Sequence, residues 1–341
     1  MASFTITLTG HGKSELHANF FPPIQLGSSD WEAGLTSFDS YFSIPNLIEN
    51  GNSTLYLLDA GTPIHDTTGQ FIEASKIEKV LQKTMSDVTI TITNTHHVIL
   101  KTSKTLFNTS SVSVLIPLGF SQGRILTSGT TLHKGDEPLK KTWSASQKKF
   151  VYGLELPSGV QHYLYTGTMY KIPTGTYELS DLRKVIITEL KKMDIDFDMQ
   201  VNLNTQRCGI KCSKIIDFQH TDSFSTLLGF SPSDKMPSNT WNWSNQIVHV
   251  FSVMNIGVSV SCCQGDYRNG EPSHVIYQFT PNVAPGYRMS ENPDSVTYHS
   301  VLNSDKLEEI TVKVIDQDGK LIDFGGEAIS IRLHFKQRAA L

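Results

Sequence analysis

Residues 94–130 and 204–240 are related by an internal repeat, and this repeat constrains the fold more than any other feature of the sequence. The two segments align at a constant shift of 110 without a gap, and 12 of the 37 positions are identical. Unrelated segments of this length would share roughly two identities, so we interpret the pair as a duplication. Two copies are too few for a solenoid, which needs about three stacked repeats or more. The chain is therefore expected to contain one structural module twice.

Each copy of the repeat predicts the same succession of elements. A glycine turn, at Gly69 or Gly175, leads to a serine, Ser75 or Ser180, that is predicted to cap an amphipathic helix. Residues 194–201 then alternate apolar and polar side chains, which predicts a strand that returns as a hairpin. A Leu-Gly-Phe triplet closes each copy, and its residues complete the repeat-defining set: Leu118, Gly119, Phe120, Leu228, Gly229 and Phe230.

Outside the repeat the sequence is typical of a mainly β protein. Short apolar segments alternate with turn signals at 248–260, 274–279, 310–315 and 328–335. Many short strands with few helices favour a jelly roll or β-sandwich that includes the duplicated helix-plus-hairpin module. We divide the chain into three parts, described here by their ranges: an N-terminal β region with the first copy (1–132), a linker-like stretch rich in lysine and serine (133–165), and the second copy with C-terminal sandwich strands (166–341).

The charge balance argues against a polybasic protein that coats nucleic acid by electrostatics. The chain has 29 Lys and Arg against 33 Asp and Glu, a net charge of −4, and a pI of about 6.3. Nucleic acid is therefore an unlikely partner by this criterion. No segment approaches the roughly 18 uninterrupted apolar residues of a membrane span. The first ten residues alternate like a strand and lack the features of a secretory signal, so we expect a soluble protein synthesised inside the cell, with no membrane partner.

Motifs that suggest catalysis or ligand binding are incomplete. The run Gly119-Phe-Ser121-Gln-Gly123 matches the nucleophile-elbow pattern, but no helical pattern follows it, and the second copy lacks the last glycine. The aspartates within 194–198 alternate as in a strand and lack the glycine and glutamate of a calcium loop. The four cysteines do not have the spacing of a tetrahedral zinc knuckle. We predict no catalytic residue, no cofactor and no metal site.

Trp241 and Trp243 are the strongest candidates for a binding or interface site. They stand at positions i and i+2 of an extended segment, so both side chains are expected on one face. Tryptophan rings stack on sugars or bases, and they are also frequent in protein interfaces. An interfacial or buried pair is the more common outcome for such residues.

Several longer motifs resemble proteins encoded by Polinton/Maverick elements and by adintovirus-like viruses. They are Phe21-Pro22-Pro23-Ile24, Ser43-Ile44-Pro45-Asn46, Ile172-Pro173-Thr-Gly175-Thr-Tyr177, and the segments 262–287 and 314–335. The resemblance spans most of the chain. It implies a jelly-roll virion protein of a small double-stranded DNA virus. The length is close to that of a minor, penton-type protein and short for a major capsid protein with two jelly rolls.

The resemblance further implies a non-enzymatic structural protein that assembles into an icosahedral capsid. The expected partners are further copies of the chain, as a pentamer or alternatively a trimer, and the major capsid protein of the same virus. The duplication departs from a single jelly roll and leaves open a compact double barrel. It also leaves open a trimeric capsid or spike protein that attaches to host glycans or a receptor. A hydrolase acting through Ser121 is the remaining hypothesis.

Overall fold

A computed structural model describes most of the chain, and it is mainly β. The described residues are 2–27, 30–64, 71–82, 86–108, 110–111, 113–157, 160–251, 253–302 and 305–338. They contain several antiparallel sheets and two α-helices. The chain divides into two compact units: unit 1 comprises Met1–Ile48, Pro173–Leu182 and His249–Leu341, and unit 2 comprises Glu49–Ile172 and Arg183–Val248.

Unit 1 begins with three long strands. These are β1 (Ser3–His11), β2 (Glu15–Gln25) and β3 (Trp31–Tyr41). In β1 the apolar Ile6 and Leu8 are buried, whereas the threonines between and beside them are exposed. This alternation is the period of two that a strand with one solvent face requires.

Unit 2 contains most of the short elements. In chain order the strands and helices between β3 and residue 248 are β4 (Thr54–Leu58), β5 (Thr62–Pro63), β6 (Phe71–Glu73), α1 (Ala74–Leu81), β7 (Val88–Ile92), β8 (Val98–Thr102), β9 (Thr105–Phe107), β10 (Ile125–Leu126), β11 (His133–Lys134), β12 (Lys140–Ser144), β13 (Lys149–Glu155), β14 (Tyr163–Lys171), α2 (Leu179–Lys191), β15 (Phe197–Asn202), β16 (Arg207–Cys212), β17 (Ile215–Asp217), a 3-10 helix (Thr226–Leu228), β18 (Lys235–Met236) and β19 (Asn242–Ile247). The first four residues of α2 are assigned to unit 1.

The C-terminal part of the chain returns to unit 1. Its strands are β20 (Ile256–Val260), β21 (Tyr267–Arg268), β22 (Glu271–Pro272), β23 (Val275–Phe279), β24 (Arg288–Glu291), β25 (His299–Ser300), β26 (Lys306–Ile315) and β27 (Ala328–Gln337). All of unit 2 therefore lies, in the sequence, between strands β3 and β20 of unit 1.

Unit 1 is a sandwich of two antiparallel sheets. One has the order β1-β27-β3-β24, with β25 also paired to β3, and the other has the order β2-β26-β20-β23. Buried side chains from both sheets form one core cluster. Phe38 of β3 and Phe279 of β23 meet across it, with ring centroids 5.1 Å apart. Burial of these apolar faces is what holds the two sheets together.

Unit 2 is organised around two neighbouring central strands, β14 and β4. They lie in the order β10-β9-β14-β4-β17-β18, with β5 also paired to β14. The pair β9–β10 flanks β14, and the pair β17–β18 flanks β4, so the two repeat copies occupy opposite sides of the central strands. Leu106 faces Leu126 in the first pair, and Ile216 faces Met236 in the second. These are the same positions at a shift of 110.

Both repeat copies have a helix followed by a hairpin, but the helices begin before the predicted serine caps. The N-cap of α1 is Glu73, which ends β6, so Ser75 lies inside the helix. In α2 the N–H of Leu182 donates to the carbonyl of Glu178 at 2.9 Å, and Ser180 also lies inside the helix. The prediction of serine caps is wrong by two residues in each copy, because the chain turns into the helix directly after a glutamate.

The units differ in their boundaries from the three parts drawn from the sequence. Each unit combines segments that are distant in the sequence, whereas the division at 132 and 165 followed chain order. Residues 133–165 were expected to be linker-like, yet they contain β11, β12, β13 and the start of β14. Strands β12, β13 and β6 form a three-stranded sheet. Composition suggested a linker because three of the five residues of β12, and the first and last residues of β13, are exposed and polar.

Candidate interaction surface

Strands β15, β16 and β19 form a three-stranded sheet whose two faces differ. On one face Met199, Cys208 and Ile210 are buried. The opposite face includes Gln200 and Gly209, which are register partners, and the partner of Gly209 on β19 is Trp243. The candidate tryptophans therefore belong to the outer face of this sheet.

Trp243 lies directly against the backbone of β16 because its neighbour there is a glycine. A Cβ atom at Gly209 would approach the Trp243 ring to 3.0 Å, which is closer than ordinary van der Waals contact. Gly209 thus leaves the space in which the indole lies on the sheet. The glycine is specific to the second copy, since Ile99 occupies the equivalent position of the first.

Trp241 and Trp243 form a stacked pair that remains open to solvent. Their ring centroids are 6.4 Å apart and the ring planes differ by 28°. Trp241 is 37% exposed and Trp243 is 43% exposed. The structure therefore brings the two predicted residues together on one surface, which we call the tryptophan platform.

The platform borders a depression with charged walls. Trp241 lines it together with Asp196, Asp198, Lys211 and Asn239, and its volume is about 400 Å³. Arg183 on α2 donates to Oδ1 of Asp198 from Nη2 at 2.7 Å and from Nε at 3.1 Å. Aromatic faces beside carboxylate and amide groups are suited to hydrogen-bonding ligands that also present an apolar face, such as sugars, and to protein surfaces.

The repeat-defining glycines occupy equivalent turns. Gly119 has φ of 91° and Gly229 has φ of 79°, in the region that side-chain-bearing residues avoid. A Cβ at Gly119 would lie 2.1 Å from the carbonyl oxygen of Glu137, and one at Gly229 would lie 2.3 Å from that of Gln246. Only glycine fits at either site, because both the backbone angle and the close carbonyl exclude a side chain.

The same hydrogen bonds surround both turns. The N–H of Phe120 donates to the carbonyl of Leu115 at 3.0 Å, and that of Phe230 donates to Ser225 at 2.9 Å, again at a shift of 110. The leucine and phenylalanine side chains that flank the glycines are buried in both copies: Leu118, Phe120, Leu228 and Phe230. These residues act in packing rather than on an exposed surface.

Of the two turn glycines, Gly175 lies in unit 1 and Gly69 lies outside the described residues. Gly175 and Leu47 exchange backbone hydrogen bonds of 3.0 and 3.2 Å. The neighbouring Asn46 is buried, and its Nδ2 donates to the carbonyls of Tyr177 at 2.7 Å and Val250 at 2.8 Å. The Ser43-Ile44-Pro45-Asn46 motif thus fixes three segments of unit 1 that are far apart in the sequence.

Sequence reasoning missed a polar network in unit 2. The hydroxyl of Tyr56 donates to Oδ1 of Asp222 at 2.6 Å, and that of Thr54 donates to Oδ2 at 2.8 Å. The ring of His220 stacks on Tyr56 with centroids 3.9 Å apart. These residues come from β4 and from the loop after β17. Equivalent positions in the first copy are not histidine or aspartate, so the repeat gave no signal for them.

Burial and hydrogen bonding shift the pKa values of this network. Burial, followed by the bond to Asp222, raises the pKa of Tyr56. Burial opposes ionisation of Asp222, but the hydroxyls of Tyr56 and Thr54 outweigh it and lower the pKa of that carboxyl. Burial lowers the pKa of His220 below its ordinary value of 6.5, which keeps the imidazole neutral near pH 7. The Asp222 carboxylate, which accepts hydrogen bonds from two hydroxyl groups of β4, therefore stabilises the loop after β17 against that strand.

Ser121 is engaged in a turn rather than activated as a nucleophile. Its hydroxyl and its backbone N–H both donate to Oδ2 of Asp136 at 2.8 Å. These two bonds, together with Arg124, lower the pKa of Asp136 to about 2. Residues 122–130 form turns and strand β10, so the helix that a nucleophile elbow requires does not follow Ser121.

The described part of the chain contains no group of three or more His, Cys, Asp and Glu side chains placed to hold a metal ion. All four cysteines are free, with Cys208, Cys212 and Cys263 buried. Burial raises the pKa of the Cys208 thiol to about 12, which makes it a poor nucleophile. Neither helix of the described structure has the length and apolar character needed to cross a membrane.

Comparison with solved structures gives a structural likeness that spans the chain at a low TM-score. No family model matches the chain, and no curated protein matches it. The crystal structure of the selenomethionine-labelled penton protein of mavirus superposes over 99% of this chain and 100% of that protein. The sequence identity is 7% and the TM-score is 0.37, so the likeness assigns neither a family nor a function to this chain.

Proposed function

We propose that this chain is a structural protein of a virion, assembled into an icosahedral capsid as a minor, penton-type protein. The observation that carries the proposal is the strand order of unit 1. With the short strand β25 left aside, the orders β1-β27-β3-β24 and β2-β26-β20-β23 of the two antiparallel sheets match the arrangement of an eight-stranded jelly roll. Viral capsid proteins are a major class of jelly-roll proteins, beside lectins and cupins. The resemblance to Polinton/Maverick and adintovirus-like proteins favours the capsid class.

Exposed apolar side chains on unit 1 support self-assembly. The four most exposed of them are Phe21, Tyr287, Tyr267 and Met254, at 100%, 68%, 66% and 61%. Aromatic residues and methionine are enriched in the interfaces of assembled proteins, whereas isolated proteins rarely group large apolar surfaces in solvent. Such residues fit contacts with further copies of the chain and with a major capsid protein.

Phe21 is the most prominent of these side chains. Strand β2 pairs with β26 at Asn19 and again at Ile24, and the register shifts between these two positions. Phe21 lies in the segment that leaves the ladder, with its ring fully exposed. Strand β2 is also the edge of its sheet. An edge strand that carries an exposed aromatic ring is suited to contact a neighbouring subunit.

Native mass by light scattering, followed by electron microscopy of the main species, tests the proposal. A five-fold ring of about 190 kDa, five copies of the 37.9-kDa chain, is the expected result. Phe21→Ser should reduce the mass of the assembly. Leu203→Ser is the matched control, because Leu203 is 88% exposed but lies in unit 2. A trimer would contradict the penton assignment. A chain that stays monomeric at high concentration and does not bind the major capsid protein would contradict the capsid role.

A second candidate function is attachment to host glycans, and the tryptophan platform favours it. Two stacked, partly exposed indoles beside a depression lined by Asp196, Asp198 and Asn239 resemble the surfaces on which sugar rings stack. A glycan array probed with the intact chain and with Trp243→Ala tests this function. Loss of a specific signal in the variant supports attachment, whereas an array without signal from the intact chain contradicts it. Trp143→Ala is the control, since Trp143 is similarly exposed on another sheet.

A further inference from the structure

The hairpin formed by β12 and β13 carries four aromatic and cationic side chains on one face. Trp143 is the register partner of Phe150, and Lys141 is the register partner of Tyr152. Positions i and i+2 of a strand share a face, so these four residues lie together. Trp143 is 55% exposed and Phe150 is 58% exposed. We call this group the hairpin face.

The rings of the hairpin face are connected through the ammonium group of Lys141. The centroids of Trp143 and Phe150 are 5.2 Å apart in an edge-to-face arrangement. Nζ of Lys141 lies 5.0 Å from the centroid of Phe150 and 5.8 Å from that of Tyr152. The imidazole of His96 extends the surface, because it stacks on Tyr152 at 3.6 Å with an 11° angle between the planes.

The charge around these rings is positive. Residues 140–154 contain four lysines and no acidic residue. Two carboxylates border the hairpin: Glu155 pairs with Lys140 at 2.6 Å, and Glu73 accepts a hydrogen bond from Gln147 at 2.7 Å. The ion pairs found among the described residues include none for the other three lysines, Lys141, Lys148 and Lys149. A balanced total charge therefore conceals a local cationic surface.

Lysines beside exposed rings favour a polyanion with stackable faces over a protein partner. Lysine is depleted in protein interfaces, whereas aromatic platforms flanked by cations are the common means of binding single-stranded nucleic acid. The bases of a duplex are already stacked on one another, so an aromatic surface engages them only after unstacking. We propose that the hairpin face binds single-stranded nucleic acid, with bases stacked on Trp143 and Phe150 and phosphates near Lys141 and Lys148. This site is separate from the capsid role proposed above and does not depend on it.

Fluorescence anisotropy with a labelled thymidine oligonucleotide of about 15 nucleotides, within the range of such sites, tests the proposal on the full chain. Two lysine–phosphate contacts predict a slope of about −1.4 for the logarithm of the affinity against the logarithm of salt concentration. Trp143→Ala should weaken binding roughly 5- to 150-fold, the loss of one stacked base. Lys141→Gln should make the salt slope shallower by about 0.7.

Tyr41→Ala is the matched control, because Tyr41 is an exposed aromatic residue, 45% open to solvent, on strand β3 of unit 1, and it should leave the affinity unchanged. An affinity for the duplex of the same sequence equal to that for the single strand would overturn the proposal. So would the absence of saturable binding, or equal binding by Trp143→Ala and the intact chain. If Trp143→Ala changed the native mass instead of the oligonucleotide affinity, the hairpin face would be a contact between copies of the chain, and the proposal would again be overturned.

Discussion

Replacement of Gly229 by alanine should destabilise unit 2 far more than replacement of a glycine with the same backbone conformation in open space. Gly229 has φ of 79°, and a Cβ there would lie 2.3 Å from the carbonyl oxygen of Gln246. That carbonyl belongs to backbone, so a side-chain rotation cannot relieve the overlap. The N–H of the same residue, Gln246, donates to the carbonyl of Gly229 at 3.0 Å. Relief of the overlap therefore also disturbs this hydrogen bond.

The magnitude follows from two separate costs. A left-handed backbone conformation costs an alanine roughly 1–2 kcal/mol relative to glycine. Forcing a methyl group into a closely packed site adds about 1–3 kcal/mol. Gly229→Ala should therefore lower the free energy of unfolding by about 2–5 kcal/mol. Gly119→Ala should fall in the same range, because its Cβ would lie 2.1 Å from the carbonyl oxygen of Glu137.

Gly123 is the matched control. Its φ is 86°, close to that of Gly229, but nothing lies within 4 Å of a Cβ at this position. Gly123→Ala should therefore show only the conformational cost, about 1–2 kcal/mol. Urea unfolding of all three variants, followed by tryptophan fluorescence, compares the midpoints at constant slope. The packing argument is refuted if Gly229→Ala and Gly119→Ala cost no more than Gly123→Ala.

Three further predictions concern hydrogen bonds and protonation. Tyr56→Phe removes one of two hydroxyl donors to the Asp222 carboxylate, so it should lower the free energy of unfolding by about 1.5–3 kcal/mol in urea titrations. Tyr267→Phe is the control: because Tyr267 is exposed, this substitution should leave the free energy of unfolding unchanged. The pKa of Asp136 is about 2, below its ordinary 3.8, so its contribution to stability is complete above pH 3.8 and is lost as the pH falls toward 2. Asp136→Asn should therefore make the urea midpoint of unfolding less dependent on pH over that interval. Burial lowers the pKa of His220 below 6.5, so protonation of this ring favours the unfolded chain. His220→Phe should therefore reduce the loss in the free energy of unfolding as the pH falls below 6.5. If the dependence of that free energy on pH were unchanged in the variant, the burial of His220 as a neutral ring would be contradicted.

The sequence was informative where one residue type alone can satisfy a local requirement. The repeat located Gly119 and Gly229, and their positive φ values and adjacent carbonyls give the physical reason why glycine stands at both positions. The tryptophan spacing placed Trp241 and Trp243 on one face, where they form a stacked pair. The mainly β character is confirmed at the level of several antiparallel sheets with two helices. Whether the tryptophan platform binds a ligand or a subunit stays a prediction.

The features that sequence reasoning did not find depend on contacts between distant residues. Asp222 is held by Thr54 and Tyr56, which precede it by more than 160 positions, so no local pattern reports the network. The start of each helix was misplaced because a glutamate, rather than the serine two residues later, precedes the first turn. The hairpin of β12 and β13 has the composition of a linker because four of the five residues of β12, and the first two of β13, are exposed to solvent.

The position of unit 2 between β3 and β20 imposes an order of events on synthesis. Among the described strands, β1, β2 and β3 pair only with strands that begin at Arg288 or later, and β27 (Ala328–Gln337) separates β1 from β3. At ribosomal rates of about 5–20 residues per second, roughly 12–60 s pass between emergence of β3 and emergence of these partners. All segments of unit 2 emerge earlier and can fold during that interval. Strands β1, β2 and β3 must meanwhile remain unpaired without aggregating, so a nascent chain of this protein is most vulnerable at these three strands until β24, β26 and β27 have emerged.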